Sequence, residues 1–589
     1  MTGTMADPWD DSDAPARRWA TGDWSIEVRG TELAEVSYRG RRVLRSIRAI
    51  VRDRDWNTAG WIIDDIAEHA GGLALAMRSD GYGSDVRGEL RVEAAGDRLT
   101  VTFDAVSRED FETSRTGLVV LHPPELAGTE LAVSHPDGSL TPTVFPEAIS
   151  PHQPAFDIAG LTWRHGGIDV ALRFEGDVFE MEDQRNWTDA SFKTYSRPLS
   201  LPTPYTLAAG ERVTQSVTVT AAAGEPSTAP TVDTDRIELA PSGQFPAISV
   251  AASTEGGERP AVESVGSSLL VELDLAQPDW GAVLGRAARV GLPLDVRIVP
   301  APTVSGATDG DTEDGPFEHV AAALVGLPLV RVGAFAASGP AAHVSDAATV
   351  DALRLALARV GVRAPVIGGV RSHFTELNRE HERLPDGLAG IAFSTTPLFH
   401  SLDTAQLVES LATQRLVARQ AVEIAEGVPV HVGPITLRPR FNNVATSDAA
   451  SGLDERPGQA TDPRQASPTL AAWAIASAAA LAVPGVASLT FFEEWGPRGI
   501  RTSAGHPLPV AAAIEALASL DDHFGHPDGH RLTGDSPDGL IWAIGAASPA
   551  DTRVVVANLD DRERRIRVAH PGGVLTIPVP ACSFVIRDA

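Results

Sequence analysis

Lysine is all but absent from this chain. Of 589 residues, 49 are lysine or arginine, and Lys193 is the one lysine among them. An ammonium can lose its proton and a guanidinium cannot, so a chain that uses arginine everywhere else marks this amine as a residue with its own purpose. A GC-rich coding sequence also replaces lysine by arginine, and a structural ion pair would retain a lysine equally well. Cysteine is as scarce: Cys582 alone excludes an internal disulfide framework and any cysteine-based zinc site. No apolar run approaches the ~18 residues of a membrane span, and 43% hydrophobic residues describe a soluble globular protein. The first eighteen residues are acidic and lack the basic and apolar regions of a secretory signal, so a cytoplasmic location is expected. A net charge of −29 leaves little basic surface for a phosphate backbone. Neither nucleic acid nor membrane is an expected partner, and a small neutral or weakly charged molecule fits better. Oligomeric state is not legible.

Several motifs are missing too. No Gly-rich phosphate turn follows the first strand of the central region, which argues against a doubly wound nucleotide fold. No Gly-x-Ser-x-Gly elbow offers a serine nucleophile. His152, His373, His400 and His431 are scattered, and no His-x-His opens the barrel, so no metal or other cofactor is expected.

What is present divides into three regions. Alternating strands such as 89–93 and 98–103 predict an N-terminal β-sandwich over 20–225, followed by a Pro/Ala/Gly/Ser/Thr linker at 223–230. Over 234–522 short apolar strands alternate with helical patterns, the strands at 246–252, 269–275, 293–299, 328–335, 365–370, 387–393, 428–437 and 486–493. Eight βα repeats predict a (β/α)8 TIM barrel. Strands return over 523–589 as a small C-terminal β-sandwich. The fold class is thus multidomain, α/β plus all-β.

Barrel chemistry gathers where strands end. The fifth strand exit carries Arg371, His373, Glu376 and Asn378; the sixth carries Ser394, Thr395 and His400; the seventh carries Arg438 and Arg440, two apart on one side of an extended segment; the eighth carries Glu493, Glu494 and Trp495. Trp495 beside carboxylates suits a sugar, because a ring covers the C–H face while acids bind hydroxyls. Glu376 and Glu493 form a candidate catalytic pair, since retaining glycosidases hold two carboxylates ~5 Å apart. They follow strands four and seven if counting starts at 269, or five and eight if it starts at 246. The second count is preferred, because the helix at 510–520 leads directly into the last β-domain. A loop at 447–468 reads as a lid or a disordered tip, and the acidic stretch 308–314 as a solvated loop.

The densest polar stretch surrounds the lysine: Glu182, Asp183, Arg185, Asn186, Asp189, Lys193 and Tyr195 lie within fourteen residues. In a strand, Lys193 and Tyr195 point to the same face. This stretch, with Leu121-His122-Pro123, Phe145-Pro146 and Ile149-Ser150-Pro151-His152-Gln153-Pro154, and Glu376-Leu377-Asn378-Arg379 in the barrel, resembles the D-apionate lactonase family over all three regions. The resemblance implies hydrolysis of D-apionolactone to D-apionate in bacterial apiose catabolism. It does not assign the catalytic groups. Lactone opening needs a base for water, donors for the oxyanion and a proton for the leaving hydroxyl. Glu376 or Glu493 would be the base. Lys193, Arg438 and Asn378 would be donors, and Glu182, Asp183, Arg185, Asn186, Tyr195, His373, Arg440 and Trp495 would line the substrate. The alternatives are a retaining glycoside hydrolase using Glu376 and Glu493, and a non-catalytic carbohydrate-binding protein. Lys193 is then either a substrate ligand at the barrel mouth or a fastening between two domains.

Overall fold

The computed structural model of the chain describes residues 7–11, 15–224, 233–301, 315–339, 342–444, 460–524 and 529–589. Of the loop expected at 447–468, residues 447–459 lie outside the described residues, as do 308–314 and 225–230.

Two antiparallel sheets, of ten and nine strands, form the N-terminal sandwich. Strand Arg98–Ser107 buries every second residue, as a sheet with one covered face must. Its Val101 and Phe103, with Leu90 and Val92, meet Ile47, Leu118 and Val120 of the opposite sheet. Strand Phe111–His122 departs from this rule and buries nearly every residue. The ten-stranded sheet therefore has a second covered face, where Ile50, Val119, Leu121 and Tyr195 form a separate apolar cluster. That face turns toward the barrel.

The barrel strands are β1 (Ala247–Ala251), β2 (Leu269–Asp274), β3 (Leu294–Val299), β4 (Leu329–Ala334), β5 (Val366–His373), β6 (Ile391–Thr395), β7 (Val430–Ile435) and β8 (Val486–Glu493). Parallel pairing of β1 with β8 closes the ring. Glu376 therefore follows the fifth strand and Glu493 ends the eighth. Barrel interiors are usually filled by branched apolar layers, but this one holds charge. Asp295 of β3 pairs with Arg297 at 3.2 Å and Arg331 of β4 at 2.7 Å. Burial favours its protonated form, yet the two guanidinium groups hold its pKa down at about 2.

Helix Thr469–Leu481 is apolar all round and wholly buried. A helix of that kind needs cover on every side, and it receives it from the barrel on one side and the C-terminal strands Ile541–Ala547 and Thr552–Asn558 on the other. The C-terminal sandwich has a five-stranded and a three-stranded sheet. Residues 236–241, expected at the start of the barrel, instead supply an edge to each of these sheets. Ile237 and Leu239 complete the small C-terminal core, which explains why this segment leaves the barrel. No helix among the described residues is long and apolar enough to cross a membrane.

Candidate active site

The C-terminal ends of the barrel strands open on a cavity of about 380 Å³, lined by Glu272, Trp280, Arg371, Arg440, Glu493 and Arg498, among others. Glu272 stands two residues before Asp274 on β2, so both face the same side, and both line the cavity. Arg371 reaches Glu272 at 2.6 Å, and Arg440 reaches the same carboxylate at 3.2 Å. Burial favours the neutral acid, but these two guanidinium groups overcome it and hold Glu272 well below the usual carboxylate range. Arg371 also lies over the Phe441 ring at 4.3 Å.

Glu493 enters this cavity through an irregularity. Ser488 points into the barrel, where Arg331 and His431 reach its hydroxyl. Strict alternation would then send residues 490 and 492 inward and Glu493 outward. Phe492 instead adopts a φ of 49°, and the ladder to β1 slips between Ser249 and Ala251. The bulge adds one residue, so Phe492 and Glu493 both line the cavity. A bulky residue in the left-handed region costs ~1–3 kcal/mol and persists where its surroundings over-determine it. Thr254 donates to Glu493 from its amide at 3.2 Å and its hydroxyl at 2.9 Å, and Arg498 pairs with it at 2.9 Å.

Glu376 is placed differently. It begins the short helix Phe374–Glu380 after β5 and accepts from the His373 amide at 3.1 Å, the Ser372 hydroxyl at 2.8 Å and the Asn443 amide at 2.6 Å. Burial, opposed by the Ser372 hydroxyl, pushes its pKa up to about 7. It shares the C-terminal face of the barrel with Glu493 but is not among the residues lining the mouth cavity. His373 is buried at the same strand end, its Nδ1 without a hydrogen-bond partner, and burial lowers its pKa to about 3.

Two expectations at the mouth are corrected. Arg438 and Arg440 do not act side by side: β7 ends at Ile435, the period of two is lost, and Arg438 turns to Asp462 at 2.8 Å. Trp495 is not a platform in the mouth cavity. The chain turns after Glu493, burying Trp495 beside Glu494, which is held by Arg259 and Ser264. Trp280 and Glu272, neither singled out in the sequence, line the mouth instead. Glu272 was hidden in Leu269–Asp274, where it reads as one polar residue of an apolar strand.

The polar stretch around Lys193 meets the barrel beside the mouth. Lys193 stands directly opposite Glu182 on the neighbouring strand and pairs with it at 2.6 Å. The Trp187 indole also donates to Glu182, at 3.2 Å. Burial lowers the Lys193 pKa to about 8, opposed by Glu182. Burial works to raise the acid's pKa, yet Lys193, His400 and Arg379 hold Glu182 well below its ordinary range. Trp187 stacks on Phe399 at 4.4 Å, the Thr188 and Thr395 hydroxyls meet at 3.2 Å, and Asp189 pairs with His400 at 2.6 Å. Asn378 donates to Asn186 at 2.9 Å and to the Ile149 carbonyl at 3.0 Å.

Asp183, Arg185 and Tyr195 serve the N-terminal domain itself. Arg185 pairs with Asp183 at 2.7 Å and donates to the carbonyls of Pro146, Glu147 and Ala148. Tyr195 donates to Glu180. The structure thus gathers Glu493 and Arg440 at the mouth. It places Lys193, Glu182, Asn186 and Asn378 at or near the interdomain contact, and Asp183, Arg185 and Tyr195 within the β-domain.

Two family models match the chain: D-apionate lactonase, N-terminal domain, over residues 5–224, and D-apionate lactonase, TIM barrel domain, over residues 250–522. A curated relative, D-apionate lactonase from Brucella anthropi, is 27% identical over 92% of this chain and 94% of its own length. Among solved structures, SrfJ from Salmonella typhimurium is 11% identical over 63% of this chain and 96% of that one, with a TM-score of 0.39. A GH30 endoxylanase from Clostridium papyrosolvens is 9% identical over 60% and 99%, with a TM-score of 0.38.

Proposed function

Because the chain belongs to the D-apionate lactonase family, we propose that it opens D-apionolactone to D-apionate at the barrel mouth, as a step in apiose breakdown. Membership of the family makes the chain a hydrolase of sugar lactones. Glu493 takes a proton from water as the water oxygen bonds to the lactone carbonyl carbon. Arg440 and Arg371 face the oxygen that gains charge, where fixed donors act most strongly. The ring C–O bond then breaks, Glu493 returns its proton to the leaving oxygen, and the new carboxylic acid ionises.

The observation that supports this reading most is that Glu493 and the two guanidinium groups line one cavity, with Glu493 delivered there by a strained bulge. The retaining-glycosidase alternative needs Glu376 in the same cleft, about 5 Å away, and Glu376 is not among the residues lining the mouth cavity. Acid release from D-apionolactone tests the proposal. Glu493→Gln is expected to lower kcat by ~10²–10⁴-fold, the usual yield of a general base. Wild-type turnover by that variant would reject the role. Phenol release from an aryl glycoside, without lactone opening, would favour the glycosidase.

A further inference from the structure

Outside the barrel mouth a second cavity, of about 290 Å³, lies between the outer face of the ten-stranded sheet and the segment after β6. Its two walls differ. On the sheet side Arg52 and Lys193 line it, and Arg115 stands directly opposite Arg52 in the ladder. Among the described residues neither Arg52 nor Arg115 has a carboxylate partner. Arg52 donates to the Trp56 carbonyl at 2.9 Å. Arg115, 3% exposed, donates at 3.4 Å to the Arg197 carbonyl, stacks on Tyr195 at 3.7 Å and leaves its Nε without a partner. The carboxylates whose charge reaches these cations are already engaged: Glu182 by Lys193 and Trp187, Glu180 by the Tyr195 hydroxyl and the Leu199 amide, and Asp189 by His400 and Gln406. Burial and the neighbouring Arg115 charge lower the Arg52 pKa to about 10. A buried cation without a counter-charge is costly, and an anion in the cavity would offset that cost.

The opposite wall carries Gln406, Ser401 and Asp403 of the barrel, with Asp189 of the N-terminal domain held against them by His400 and Gln406. The two carboxylates disfavour a bare anion on this wall, and with Ser401 and Gln406 they suit hydroxyl groups. We propose that this interdomain cavity is a binding site for a polyhydroxy carboxylate, its carboxylate held by Arg52 and Lys193 and its hydroxyls by Asp189 and Gln406. This goes beyond the lactone reading and rests on the lining alone, although a ring-opened sugar acid has this chemistry. A smaller anion such as phosphate satisfies only the basic wall, and a neutral polyol only the polar one.

Calorimetric titration of the full chain with sodium gluconate tests the proposal, with acetate, inorganic phosphate and sorbitol as comparison probes. Gluconate is expected to bind once per chain and at least tenfold more tightly than the other three. Arg52→Gln and Thr58→Glu are each expected to weaken gluconate binding at least tenfold. Thr58 is an exposed lining position, so its variant does not depend on refilling a buried site. Arg440→Gln, in the barrel mouth, should leave gluconate affinity unchanged. The proposal falls if gluconate does not bind, if phosphate or acetate matches it, if affinity survives both Arg52→Gln and Thr58→Glu, or if it is lost in Arg440→Gln. Lactone turnover measured on the same preparations separates the two ideas, because gluconate binding without lactone opening would reject the lactone reading and keep this site.

Discussion

The barrel mouth and the outer face of the N-terminal sheet both collect arginine, and they balance it differently. In the mouth a single carboxylate, Glu272, lies between Arg371 and Arg440, and a second, Glu493, pairs with Arg498. On the sheet face Glu182 pairs with Lys193, while Arg52 and Arg115 have no carboxylate among the described residues. The mouth is thus an electrostatically closed set into which a neutral lactone can enter without displacing a counter-ion. The sheet face is an open set. Similar composition therefore produces two different kinds of surface, decided by where the acids fall in the ladder.

Removing one member of the pair on the sheet face tests this contrast most strongly. Lys193→Met leaves Glu182 ionised and buried, and is expected to lower unfolding free energy by about 3–5 kcal/mol, with the double variant Lys193→Met/Glu182→Gln recovering most of it. Urea denaturation measures both. If the single variant is as stable as the wild type, Glu182 is not the closed partner that the geometry indicates.

A second measurement sharpens the barrel side of the comparison. Glu376 has a folded pKa near 7, above the ordinary carboxyl value of 4.5. The folded state therefore holds a proton that the unfolded state has lost, and stability falls as pH rises from about 4.5 through 7. Glu376→Gln is expected to be more stable than the wild type at pH 8 and to approach it at pH 4. If Glu376 also takes part in turnover, the limb of the kcat/KM profile near pH 7 disappears with it. An unchanged profile would leave turnover to Glu493.

The smallest expected effect lies at the seam between the two regions. Thr188 sits at φ 69°, where a β-branched residue is strained, and its hydroxyl meets Thr395. Thr188→Gly relieves the strain and loses the hydrogen bond. These contributions are each about 1 kcal/mol and oppose one another, so the melting temperature should shift by only a few degrees. A large drop would mean that this hydroxyl contact fastens the two domains more than its size indicates.

The fold was largely legible because period and composition carry it. The run at 486–493 reads as a strand and is β8; Thr469–Leu481 is apolar all round and is buried all round. The segment at 236–241 was misplaced because its few apolar residues show no period that tells a barrel strand from a sheet edge. The site was only partly legible. Glu493 and Arg440 were marked by their places near strand ends. Trp495, marked by the same rule, was wrong for the mouth because a tight turn buries it. Glu272 was missed because a charged residue inside an apolar strand shows its purpose only when Arg371 and Arg440 arrive from other strands.

By itself, the sequence determined the three-part architecture, the family motif and the singularity of Lys193, all of which depend on local pattern and residue type. Tertiary structure alone decided what that lysine faces. Strand register sets Lys193 opposite Glu182, and packing of the sheet on the barrel turns it toward an interdomain cavity instead of the barrel mouth. The physical reason is that charge acts through space. Which acid meets which base depends on ladders and bulges that bring together residues far apart in the chain, and no local pattern records those distances.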